Sequence, residues 1–523
     1  MKKALSVILF AAMILSLCAF NIGAAWDGVT ASASLAGEGT QDSPYIVETA
    51  EDLAFLAKSV NEGNTYEGKY IVQTADIDLG GKEWTPIGHQ KINSALEDAP
   101  FSGVYSGLGH KVTGLSITTA LDNHMGLFGY VMSGAVEAGI ANLTVEGAIA
   151  LTDVTSTNVG IGGIAGSFAK DTSAFNAKLV LINCTASVDI SIAACTGEPR
   201  VGGAVGYIFN GKVENCVANS NVTIASVKNI RAGGFVGQTN RSQYLNCIAN
   251  GNVTSDAGTT SITARAAGFC GVITRGGVAG DEATAEYTTF ENIITNGDVY
   301  GKSGNAVMAA GIAADYYVNN KTWAGLDIKV KMINCVNNGN ITAESIGTAG
   351  YPHAGGIGGY TGNGYFDYEF IACVNGGEVK SIGGKQERAG GIIGSVYSAK
   401  AEYVFDQCIS VGELKSTCFS LANKETALEN CTANADPAMI IAANTKVEGL
   451  MKTSDRTIAG FDTSKGVPAP VVPETTAPET TVPAPETTEP AASEPTGDSA
   501  LIFAVIAIIS IAGVAVVAKR REN

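Results

Sequence analysis

The chain has 523 residues, 64 of them glycine, with 50 acidic against 33 basic side chains and a formal charge of −17. Phosphate recognition needs a concentrated positive face, so this balance speaks against nucleic acid and anionic lipid as partners. Glycine at this level without a collagen-like triplet implies many tight turns or close backbone approaches.

The first segment, 1–25, opens on Lys2-Lys3, runs apolar from Ala4 to Phe20 and ends on Gly23-Ala24-Ala25. That order is expected of a secretory signal peptide cleaved before Trp26. Residues 26–120 are expected to hold an N-terminal cap and the first coils of the body. Thr49-Ala50-Glu51-Asp52 can start a helix, and Leu53, Leu56, Ala57 and Val60 recur on one face. Such a helix, placed before the strand-like 69–79, would cover an open end of the fold.

From 121 to 466 two motifs alternate. One is an Asn-Cys pair: Cys184, Cys216, Cys247, Cys335 and Cys431 each follow an asparagine, and Cys373 and Cys408 follow Ala372 and Gln407. Leu143 and Ile293 occupy the same slot without a thiol, so the slot reads as a buried ladder of mid-sized apolar side chains. Disulfides between stacked slots stay open in an exported chain. The other motif is a Gly-Gly-x-x-Gly anchor, as at 162–166, 202–206, 233–237 and 390–394, recurring every 31 to 45 residues. Short β-branched segments broken by Asn-Gly or Gly-Gly predict a parallel β-solenoid, with turns at φ > 0 supplied by Asn and Gly. A β-propeller is the competing architecture.

The repeats resemble the GLUG type of bacterial surface protein, and the order "TAEDLAFLAKSVNEG", "YIVQTADIDLGGKEWTPIG", "FSGVYSGLGHKVTGLSI" is similar to the opening of many such chains. The resemblance covers 37–431 and implies an all-β fold, a right-handed parallel β-helix. It implies little about activity.

The search for chemistry is largely negative. His89, His110, His124 and His353 have no second ligand at metal spacing, and there is no H-E-x-x-H, G-x-S-x-G or phosphate-binding loop. No cofactor and no metal are expected. Asp76 with Asp78, and Asp281, Glu282 and Glu286, are acid groups that a polysaccharide lyase or glycoside hydrolase on this fold could use. Insertions between 271 and 370 bring Tyr316, Tyr317, Trp323, Tyr365 and Tyr368, which could form an aromatic surface for sugar rings or a protein partner. Packing of those rings onto the solenoid wall is the alternative.

Residues 467–499 are a Pro/Thr/Glu-rich stalk, of which 467–497 is expected to extend roughly 90 Å at ~3.1 Å per residue. Residues 500–518 lack charge and would span roughly 28 Å as a transmembrane helix, with Lys519-Arg520-Arg521 in a cytoplasmic tail, 519–523. Glu494-Pro495-Thr496-Gly497 resembles a sortase signal but lacks its leucine and its proline spacing, so wall linkage is the alternative to a membrane anchor. The expected function is cell-surface adhesion, or recognition of a glycan or of a host or neighbour-cell surface protein, without catalysis. The expected export has a direct check: N-terminal sequencing of the secreted chain should begin at Trp26.

Overall fold

The computed structural model describes residues 26–90, 97–134, 136–170, 179–274, 288–317, 329–362, 367–396, 403–412, 428–429 and 431–452. The signal segment, the stalk and the apolar 500–518 lie outside them, as do Trp323, Tyr365, Asp281, Glu282 and Glu286. Among the described residues no helix is long and apolar enough to cross a membrane.

The body is a stack of parallel coils whose strands form sheets of 25, 8 and 7 members among the described residues. One coil shows the plan. Leu179–Ile182 and Thr185–Ile192 belong to the long sheet, Arg200–Gly202 to the seven-stranded one and Val205–Phe209 to the eight-stranded one. Each strand pairs in parallel with its counterpart in the next coil, so repeated positions form columns. One inward column runs Leu181, Val213, Tyr244, Phe290, Met332, Phe370 and Phe405. Its aromatic neighbours stack flat, Tyr244 on Phe290 at 4.9 Å and Phe370 on Phe405 at 5.0 Å.

The asparagine before the repeated Cys/Leu/Ile slot makes the corner in most coils. Asn142, Asn183, Asn215, Asn246, Asn292 and Asn334 all have φ between 52° and 55°, a left-handed conformation that costs other side chains roughly 1–2 kcal/mol. Their amides also chain the coils together. Each Nδ2 donates to the Oδ1 of the preceding coil at 2.9–3.0 Å, from Asn334 back to Asn142. Ala372 and Gln407 keep the backbone twist, at φ 51° and 55°, but the amide chain stops before them.

Glycines such as Gly109, Gly114 and Gly258 do take the φ > 0 turns expected from sequence, but the repeat-motif glycines follow a different logic. Those of the Gly-Gly anchors lie outside the left-handed region and are required by close stacking. A Cβ on Gly203 would lie 2.2 Å from the Gly234 carbonyl oxygen, and one on Gly234 2.2 Å from that of Gly268. A second glycine column, Gly251, Gly297, Gly339 and Gly377, is equally tight, with Cβ-to-carbonyl distances of 1.9–2.0 Å.

Helix α1, Ala50–Asn61, starts with a capping box between Thr49 and Asp52 and buries Leu53, Leu56, Ala57 and Val60 in the main core. A second helix, α2 at Pro437–Lys452, replaces the repeats that the sequence suggested up to 466. Asp436 accepts the Ala438 N–H at 2.8 Å and Pro437 follows it, an ordinary helix start.

Substitution of Asn246 by Ala should destabilise the protein by about 2–3 kcal/mol, since it combines left-handed strain with two lost amide bonds. Asn246→Gly should recover the backbone part only. Thermal melts that place the two variants together would show the backbone conformation to be unimportant there.

Candidate functional site

Among the described residues the aromatic surface expected from sequence does not form at Tyr316 and Tyr368. Tyr316 and Tyr368 are fully buried, their rings edge-to-face at 5.0 Å across the interior, and Tyr368 also stacks on Tyr403 at 5.0 Å. Strand alternation explains it. In Ala313–Tyr317 the side chain of Asp315 meets Arg265 at 2.6 Å, whereas Tyr316 stacks in register above Ile273. Burial raises both phenol pKa values far above their usual range. Tyr317 ends that strand.

The cysteine slots line the core wall. Cys184, Cys216, Cys247, Cys335, Cys373 and Cys408 are buried free thiols, Leu143 before them and Ile293 among them fill the same slot and are buried too, and Cys431 is half-buried. Their thiols point at main-chain oxygens, for example Cys216 Sγ to Glu214 O at 3.2 Å. Desolvation pushes the Cys216 thiol well above its normal pKa, the reverse of what a nucleophile or metal ligand needs.

The histidines and acids are also engaged. His124 is buried, with Nε2 2.9 Å from Gln90 Oε1 and Nδ1 accepting the Gly160 N–H at 2.8 Å. Burial, then the nearby Arg200, lowers its pKa to about 3. His353, against the Tyr360 ring at 4.6 Å, falls to about 3 by burial and Arg388. His89 Nδ1 approaches Asn61 Oδ1 at 3.4 Å, and His110 pairs with Asp76 at 3.1 Å. Asp78 accepts the Gly80 N–H at 2.8 Å, which ties it to a turn. Among the described residues no group of three or more His, Cys, Asp or Glu is placed to hold a metal ion.

What the coils do present is an outer wall along the line where consecutive strands of the long sheet break. Asn219, Asn250, Asn296 and Asn338 are exposed and form an amide ladder at 2.7–2.8 Å. Two residues further along stand Asp189, inside the strand Thr185–Ile192, and Asn221, Asn252, Asp298, Asn340 and Glu378, in the breaks between consecutive strands of the long sheet, all exposed. Through Asn340, each of these side-chain oxygens accepts the backbone N–H of the next coil at 2.8–3.1 Å. The result is a polar lattice whose rows repeat about 4.8 Å apart along the stack. Sequence reasoning passed over it, although "NGN", "NGD" and "GGE" held the signal: polar residues flanking each structural glycine.

Beside that lattice runs an apolar stripe, Ile248, Ile294, Val336, Val374 and Ile409, the residues that follow the cysteine slots. Helix α2 lies on it, with Ile440 and Val447 packed against Ile294, Val336 and Val374. Asn444 joins the amide ladder through bonds of 2.9 and 3.0 Å with Asn338. The repeat is adapted to this seat. Gly376 stands where other coils carry asparagine, and a Cβ there would meet Ile440 Cγ2 at 2.7 Å.

No family model matches the chain. It is 34% identical over 134 residues to a candidate Gly-rich membrane protein of Evansella cellulosilytica, a match that covers 24% of this chain and 14% of that one. It is 28% identical over 185 residues to a halomucin of Haloquadratum walsbyi, covering 35% and 2%. The chain thus spans only a small part of the curated relatives it matches. The solved structure of a candidate immunoglobulin A1 protease from Bacteroides ovatus aligns over 78% of this chain and 90% of that one, with TM-score 0.39 and 16% identity.

The buried histidines give the protein a defined acid sensitivity. Both imidazoles stay neutral in the folded state down to about pH 3, whereas an unfolded histidine binds a proton near pH 6.5. The unfolded chain therefore binds more protons below about pH 6.5, and stability should fall from there by up to ~1.4 kcal/mol per pH unit per histidine. Denaturant melts between pH 7 and 5 should show this slope, and His124→Gln should reduce it by about one proton.

Proposed function

We propose that the chain is a non-catalytic cell-surface protein of the GLUG-repeat kind, a right-handed β-helix held off the membrane by its stalk, whose outer wall binds an extended glycan. The observation that carries this reading is the pair of exposed columns, Asn219 to Asn338 and Asp189 to Glu378, repeated coil after coil. Amides and carboxylates at a fixed pitch offer donors and acceptors to the hydroxyls of a repeating polymer, and many weak contacts sum through multivalency. Rigidity adds to this, because each side chain is already oriented by the coil beside it. Relatives named as a Gly-rich membrane protein and a halomucin support a surface setting.

Cells displaying the full chain should bind members of a polysaccharide panel without releasing sugar. The double variant Asn219→Ala/Asn250→Ala should weaken binding at least tenfold, about 1.4 kcal/mol, with a melt that still shows the folded body. Sugar release would replace this reading with a lyase or hydrolase. An unchanged affinity in the folded variant would move the site off this wall.

A further inference from the structure

The cysteine ladder ends differently from the way it runs. Inside the stack each thiol is sealed between coils, as Cys373 is between Cys335 and Cys408, all three buried. At the last rung Cys431 is half-buried, and the Cys408 backbone N–H points at its sulfur at 3.4 Å. Ile409 and Thr432 pair in parallel register, and Thr432 N donates to Cys408 O at 2.8 Å. Cys408 and Cys431 are therefore in-register neighbours, about 4.8 Å apart along the stack.

We propose that Cys408 and Cys431 form a disulfide site, which closes the terminal rung of the solenoid when an exported chain meets a small-molecule disulfide. The separation falls within the Cα···Cα range of disulfides, about 4.4–6.8 Å, but the Cβ atoms must close to about 3.8 Å. That needs a shift of roughly 1 Å, and the stack permits it only at its end. Inner rungs such as Cys184, Cys216 and Cys247 are held on both sides by strand pairing and by the asparagine amide chain, which stops at Asn334. At Cys431 the amide chain is absent, since Ala372 and Gln407 hold the two preceding corners. Cys431 is also the thiol of the pair that solvent reaches.

The step is thiol–disulfide exchange. The contact with Cys408, and then burial, hold the Cys431 pKa above the usual thiol range, so exchange runs through the small thiolate fraction that mildly alkaline buffer enlarges. The Cys431 thiolate attacks one sulfur of the donor disulfide and expels one donor thiolate. The Cys408 thiolate then attacks the mixed disulfide at Cys431 Sγ and expels the second. Two protein thiols are oxidised by two electrons, the donor is reduced by the same two, and the protons leave with the two donor thiols. The inference stands apart from what the outer wall binds.

The test incubates the detergent-solubilised full chain with glutathione disulfide under native conditions, then alkylates it and maps its cysteines by peptide mass spectrometry. The expected product is one peptide linking Cys408 to Cys431, with Cys216 and Cys247 recovered as thiols after unfolding. Proteolysis of the chain beyond Cys408 should slow at least fivefold in the linked form. Cys431→Ser should fold, lose the link and leave Cys408 reduced. A stable glutathione adduct at Cys431, a link from Cys431 to any other cysteine, or no reaction at all would each overturn the assignment.

Discussion

Coil spacing governs this molecule. Backbones stacked about 4.8 Å apart leave no room for a Cβ at the Gly203–Gly234–Gly268 corner or along Gly251–Gly297–Gly339. They also bring every side chain to within bonding distance of its copy in the next coil. Asparagine at Asn183, Asn215 and Asn246 exploits both consequences, because it accepts the left-handed turn and carries a donor and an acceptor that match its own neighbours. Like residues in register give like-on-like columns inside as well. Flat aromatic stacks and buried thiols fill the interior, and the outer columns inherit the same period.

The repeat architecture was legible because it is written many times. A slot that alternates Cys216, Cys247 and Ile293 can only be an apolar position, and an asparagine before each one points to a turn that asparagine favours. Helix α1 was legible from four residues of capping chemistry and one apolar face. Helix α2 was not, because it occurs once and its inward Ile440, Ala443 and Val447 are interleaved with exposed Met439, Ile441 and Leu450, so no clean apolar face shows in the sequence. Its Asp436-Pro437 start was the readable cue.

The site was harder to read for a physical reason. Aromatic residues attract attention as ligand platforms, yet in a strand the direction of a side chain depends on its parity with its neighbours. Tyr316 and Tyr368 fall on the inward parity, where they fill the space between two sheets. The exposed polar columns lie instead in the breaks between strands, on residues that look unremarkable singly. Their meaning lies in the register of one coil on the next, and an unaligned stretch such as "NGNV" does not display register.

Helix α2 runs backward along the wall: Ile440 lies by Gly376, and Asn444, one turn later, lies by Asn338 in the preceding coil. The chain therefore leaves the helix at Lys452 alongside interior coils and not beyond the last one. A mechanical pull applied through the residues that follow would load the helix in shear against several coils at once. A pull applied at the final rung would instead peel strands one bond row at a time. The fold-back turns a stack that could unzip from its end into one that shares tension among its rungs.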